Sequence, residues 1–128
     1  MHLLADATTT AIDFHRWWGW VAIVANGIAG VIGLVAWRVP RWRGRWVWVV
    51  TLLAQLTIVV QIFVGAAIVS DDRIVAPRFH MFYGFVAFIT IGLAYSYRIQ
   101  MRGRLEMLYG FVGLFIMGLG IRAVMQVA

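Results

Sequence analysis

Four long apolar runs, separated by short arginine-bearing stretches, make up nearly the whole chain. The runs span about 14–37, 46–69, 79–97 and 105–127. Each is close to the roughly 20 residues, at about 1.5 Å rise per residue, that a helix needs to cross a bilayer. Backbone amides in lipid must be satisfied internally, so the pattern predicts helices and not open strands. The connections are short, so successive helices are expected as antiparallel neighbours in an up-down-up-down bundle. Residues 1–13 read as a brief lead-in, with Thr10 or Asp13 as candidate helix caps. That lead-in has no Lys or Arg and so lacks the basic region of a signal peptide.

Composition agrees with a lipid-embedded chain. Of 128 residues, 63% are hydrophobic and 12% charged, against about 45–50% and about 25% in ordinary soluble domains. A fold this small could not hide so much apolar surface from water. The expectation is one four-helix transmembrane domain over 1–128, all-α. The absence of cysteine excludes disulfides, thiolate metal sites, iron–sulfur ligation and covalent c-type haem attachment.

Charge then sets an orientation. The net charge of +6 comes from arginine alone, which in a soluble protein would suggest nucleic acid. Here the arginines sit between apolar runs, so no nucleic-acid partner is expected. Arg38, Arg41, Arg43 and Arg45 lie in the first connection, and Arg98, Arg102 and Arg104 in the third. The middle connection balances Arg73 and Arg78 against Asp71 and Asp72. The positive-inside rule makes the first and third connections cytoplasmic and places both termini and the middle loop outside. Trp17, Trp18 and Trp20 then mark the outer interface, and Trp37, Trp42, Trp46 and Trp48 the inner one. The expected location is the cell membrane, specifically a bacterial inner membrane.

One phrase occurs twice. Phe14-His15-Arg16-Trp17-Trp18-Gly19-Trp20 and Phe79-His80-Met81-Phe82-Tyr83-Gly84-Phe85 share the form Phe-His-x-aromatic-aromatic-Gly-aromatic. Arg43-Gly44-Arg45 and Arg102-Gly103-Arg104 extend the likeness. The chain thus reads as two tandem helical hairpins, related by an axis along the membrane normal. His15 and His80 head parallel, diagonal helices at matching depth near the outer face. With neighbouring axes about 8–10 Å apart, the diagonal is roughly 11–14 Å. Two inward imidazoles with metal bonds of about 2 Å fill that gap. They are the candidate axial ligands of one haem b iron.

Below the histidines run small residues at helical spacing: Gly19, Ala22, Asn26, Ala29 and Gly33 on one helix, Gly84, Ala87, Ile91 and Ala94 on the other. Either a porphyrin edge approaches the backbone there, first at Gly19 and Gly84, or the helices simply pack closely. Arg16, Arg78 and Arg122 lie at the level of haem propionates and are candidate partners for them; snorkelling to lipid headgroups is the alternative. Asn26, Gln55, Thr57 and Gln61 are polar at membrane depth, read as interhelical hydrogen bonds or as a quinone site. His2 has no counterpart in the repeat and is not a ligand candidate.

His15-Arg16 opening one helix, Gln61-Ile62-Phe63-Val64-Gly65 late in the next, then Pro77, His80 and Gly84 opening a third, resembles one half of the haem A synthase family. More loosely, it is similar to the transmembrane cytochromes b. The likeness covers about residues 14–98 and implies b-type haem ligation by His15 and His80. Haem A synthases have eight spans, an outer-loop catalytic glutamate and often a cysteine pair. This chain has four spans, no cysteine, and Glu106 as its single glutamate, on the cytoplasmic side. The implied function is therefore electron transfer by one bis-histidine haem and not haem A synthesis. Partners would be the bilayer, quinone, and other membrane or redox subunits. The competing expectation is a non-enzymatic accessory or anchor subunit of a larger respiratory membrane complex, with or without a quinone site.

Overall fold

A computed structural model describes residues 2–127, with side chains described from residue 6 onward; the His2 side chain lies outside them. The described residues form four α-helices and no strand. They are α1 (His2–Arg38), α2 (Arg45–Val69), α3 (Arg78–Ser96) and α4 (Leu105–Met125), with one 3-10 turn at Pro40–Trp42. All four are long and apolar enough to cross a membrane. The chain is accordingly a multi-pass membrane protein by length and composition.

The bounds of α2, α3 and α4 fall close to the apolar runs. The start of α1 does not: residues 2–13 are helical, so Thr10 and Asp13 lie inside the helix instead of capping it. The segment is rich in Ala and Leu and has no Gly or Pro, so extending an already nucleated helix is favourable. At about 1.5 Å per residue α1 is roughly 55 Å long, well beyond a hydrocarbon core of about 30 Å. The Thr8 hydroxyl in the extension donates to Asp71 Oδ2 at 3.2 Å, tying it to the α2–α3 connection.

The connections end the helices by different means. Pro40 cannot continue α1. Arg43 folds back, its Nε donating to Ala36 O at 2.8 Å and its Nη2 to Trp37 O at 2.6 Å, which satisfies carbonyls left open at the helix end. Pro77 immediately precedes α3, with φ −57° and ψ 139°. Gly103, with φ of +90°, turns the chain into α4, a conformation that favours glycine.

Helix α1 packs along both α2 and α4, and α3 packs on α4 while barely touching α2. The α1–α4 seam is built on glycine. A Cβ at Gly30 would lie 2.8 Å from Gly110 O, and one at Gly113 only 2.7 Å from Asn26 O. Such close backbone approach is how helices gain contact where there is no hydrophobic drive between them. Along the seam Ile23 meets Gly120, Gly27 meets Met117, and Gly33 meets Gly110. On the other flank, Asn26 is 1% exposed. Its Nδ2 donates to Ala22 O within α1 and, at 3.1 Å, to Ala54 O of α2. Ala22, Ile58, Ala94, Val112 and Ile116 join all four helices in one buried cluster. Leu52, Leu53, Phe63, Phe85 and Phe115 remain exposed, as lipid-facing side chains would be.

These contacts revise the reading of the small-residue stripe. Ala22, Asn26 and Gly33 serve helix packing, Gly33 against α4 and not against open space. They also break the symmetry of the repeat. The two hairpins meet along α1–α4 and along α2–α3, which a perfect repeat would make alike. The first contact is closed on glycine and the second is nearly open.

Candidate functional site

The opening between α2 and α3 is where the two histidines meet. His80 lies in the first turn of α3, just after Pro77. His15 does not begin its helix, because α1 is extended; it faces the site from several turns in. The two imidazoles nevertheless come together. Their ring centres are 5.9 Å apart and their planes are inclined by 73°.

Each ring is held by something different. His80 Nδ1 lies 2.9 Å from Ala123 O. A carbonyl only accepts, so Nδ1 carries the proton and Nε2 keeps its lone pair. Ala123 O is available because it lies in the last turn of α4, where carbonyls lack a partner four residues on. It also accepts from Gln126 N at 3.2 Å. His15 is wedged against α2: a Cβ at Gly65 would lie 3.1 Å from its Cε1. Gln61 Nε2 donates to the His15 backbone carbonyl at 2.6 Å. His15 Nδ1 and Gln61 Oε1 are both buried without a hydrogen-bond partner.

A cleft of about 510 Å³ opens beside the pair, lined by His15, Gln61, Gly65, His80, Met81, Gly84, Phe85 and Phe88 among others. Its walls are almost wholly apolar, the character of a site for a hydrophobic cofactor. A second cavity of about 60 Å³ lies deeper, shares Gln61, Ile62 and Gly84 with the cleft, and adds Gly19, Ile23, Ala87 and Gly120. The repeated glycine has two distinct environments. Around Gly84 nothing lies within 4 Å of where a Cβ would sit, whereas at Gly19 a Cβ would meet Gln61 Nε2 at 3.0 Å. Gly84 leaves a wall open; Gly19 makes room for a side chain.

Among the described residues no three His, Cys, Asp or Glu side chains gather to hold a metal ion. A haem needs no such cluster, since its macrocycle supplies four ligands and the protein only two. Two imidazoles on one metal, with bonds of about 2 Å, have ring centres roughly 6 Å apart. The 5.9 Å spacing, the free Nε2 of His80 and the apolar cleft fit that group. The space, however, lies to the α2–α3 side of the pair and not symmetrically about the bundle axis.

Arg16, Arg78 and Arg122 have exposed side chains and line neither cavity. Each is close in sequence to a site residue: Arg16 follows His15, Arg78 precedes His80 by two, and Arg122 precedes Ala123. The Arg78 guanidinium lies 5.5 Å from the centre of the Phe79 ring. In the connection above the cleft, the Arg73 guanidinium holds the Asp71 carboxyl well below the usual carboxylate range, with the Arg73 backbone N–H as a second donor.

Sequence reasoning placed Asn26 and Gln61 together as mid-membrane polar groups. The structure separates them: Asn26 is an interhelical bond, and Gln61 belongs to the histidine site. Gly65 belongs there too, and its spacing of one turn from Gln61 was the available signal. The Ala123 carbonyl had none, because a main-chain acceptor leaves no trace in residue identity.

No family model, curated protein or solved structure matches this chain.

Proposed function

We propose that this protein is a membrane b-type cytochrome carrying one haem between His15 and His80 near the outer membrane face, and that it transfers electrons. The observation that carries the reading is the meeting of two repeat-related histidines, ring centres 5.9 Å apart, at the mouth of an apolar cleft of about 510 Å³. In this reading the helices form an up-down-up-down bundle in a bacterial inner membrane. The termini and the α2–α3 connection lie outside, and the arginine-rich connections lie in the cytoplasm. The resemblance of the sequence motif around His15, Gln61 and His80 to one half of the haem A synthase family supports the same reading.

A haem held by the two histidines would supply one-electron transfer chemistry. The chain's own residues hold and insulate it. His15 and His80 would hold it through their imidazoles, with Ala123 O orienting the second ring and Gly84 leaving room at the wall. Phe85 and Phe88 line the lipid-facing mouth of the cleft. Arg16, Arg78 and Arg122 are near enough in sequence to the site for propionates to draw them in. The open flank faces the bilayer, which suits exchange with a quinone or a neighbouring redox subunit.

The test is optical. Purified protein from haem-replete cells should give a sharp, reducible b-type spectrum, and His15→Ala and His80→Ala should each abolish it while the helical content stays unchanged. A colourless wild-type preparation would sink the proposal. Co-purification of that colourless protein with stoichiometric membrane partners would support an accessory or anchor subunit instead.

A further inference from the structure

We infer that Gln61 is the positioning residue for His15, its amide Oε1 accepting the Nδ1–H of the imidazole and leaving Nε2 as the ligand atom. As a statement about ligation this rests on the haem reading; as a statement about a hydrogen bond it does not.

His15 Nδ1 and Gln61 Oε1 are both buried and both unpartnered. Buried polar groups are almost always paired, because one left unmet loses its hydrogen bonds to water without replacement. Gln61 already meets His15, through the hydrogen bond from its amide to the His15 backbone carbonyl. The amide orientation of Gln61 is not free, since its Nε2 is committed to the His15 carbonyl at 2.6 Å. A carbonyl cannot donate, so the amide cannot be flipped, and Oε1 is the atom left over. It is an acceptor, and the matching donor is the protonated Nδ1 of the same histidine. Gln61 is thereby clasped to His15 twice, through its backbone and its ring. Gly19 leaves the space for the amide, with only 3.0 Å between a would-be Cβ there and Gln61 Nε2. Gly65 leaves room for the Cε1 corner of the ring, which a Cβ there would approach to 3.1 Å.

The same tautomer then holds at both ends of the site. His80 Nδ1–H has the Ala123 carbonyl, His15 Nδ1–H has the Gln61 amide, and each keeps Nε2 free. Partners of this kind fix ring orientation and raise ligand basicity. The two differ in one respect: a backbone acceptor cannot be mutated away, and a side-chain acceptor can.

The tautomer is read on haem-free full-length protein with ¹⁵N-labelled histidine, in nanodiscs, and the potential on the haem-loaded protein. The imidazole ¹⁵N shifts of His15 should report a proton on Nδ1 in the wild type. Gln61→Leu should lose that signature and give mixed tautomers, while the His80 signals stay put. Gln61→Glu, which keeps an acceptor at the same reach, should restore it, and it also serves if Gln61→Leu fails to fold. In haem-loaded protein the midpoint potential should rise in Gln61→Leu and fall in Gln61→Glu, because a stronger acceptor makes the ligand more electron-donating. A wild-type tautomer pattern in haem-free Gln61→Leu, with an unchanged potential in its haem-loaded form, would overturn the inference and leave the cytochrome standing. A colourless wild type whose His15 tautomer still depends on Gln61 would do the reverse.

Discussion

Gly19 and Gly84 hold the same place in the doubled phrase, yet a side chain at each would meet different surroundings. At Gly84 there is nothing within 4 Å of a Cβ, and the position lines both cavities. Replacing it by leucine should leave folding intact, since leucine also favours the helix, and should fill the cleft. We expect Gly84→Leu to keep the wild-type circular dichroism while the haem-to-protein ratio falls about tenfold, equivalent to roughly 1.4 kcal/mol of binding. Gly84→Ala should retain cofactor. Full haem retention in Gly84→Leu would mean that this wall is not part of the site.

Two elements contribute stability in different ways. The α1–α4 seam is set by backbone approach, which cannot give way as a flexible side chain would. A Cβ at Gly113 would lie 2.7 Å from Asn26 O and 2.8 Å from Gly30 Cα. Gly113→Ala should therefore force the helices apart and cost about 1–3 kcal/mol, read as an earlier midpoint in detergent denaturation. Gly118→Ala on the same helix is the control: its Cβ meets nothing within 4 Å, and it should be neutral or slightly stabilising. The α2–α3 connection depends on charge instead. Asp71 accepts from Arg73 and from Thr8 of the α1 extension, and its carboxyl is held below the ordinary range. A carboxyl depressed in the folded state stabilises above its unfolded pKa and loses that contribution as the pH falls through its folded one. Wild type and Asp71→Asn should thus differ slightly in melting temperature at neutral pH and converge in strong acid. The gap should be small, since the pair is solvent-exposed.

For the whole molecule the decisive question is which way it sits in the bilayer. The first and third connections carry the excess of arginine, and cytoplasmic loops carry such an excess generally. Reporters fused within the connections near Gly44 and Gly103 should be active only in the cytoplasm, and reporters in the 71–77 connection or at the C-terminal end only outside. The opposite pattern would move the histidine site to the inner face. It would also change the compartment from which a redox partner could come.

Four spans were legible because partition into lipid is a local, additive property of each apolar run, and the ends of α2, α3 and α4 follow it closely. The start of α1 was not, since a helix already nucleated in the membrane extends through Ala and Leu without any apolar stripe to mark it. The histidine pair was legible through repetition: His15 and His80 stand in equivalent places. Only the tertiary structure decided what that equivalence became. Gly30 and Gly33 of α1 find Gly110 and Gly113 on α4, Gly27 takes Met117 and Gly120 takes Ile23, and the helices close there. Helix α2 offers α3 only Gly65, which is taken by the His15 ring, and that side stays open as the cleft. The Ala123 carbonyl and the Gln61 amide come to the two rings for the same reason. Which surfaces fit, and which backbone atoms are left over at a helix end, depends on elements meeting in space and not on the order of residues within any one of them.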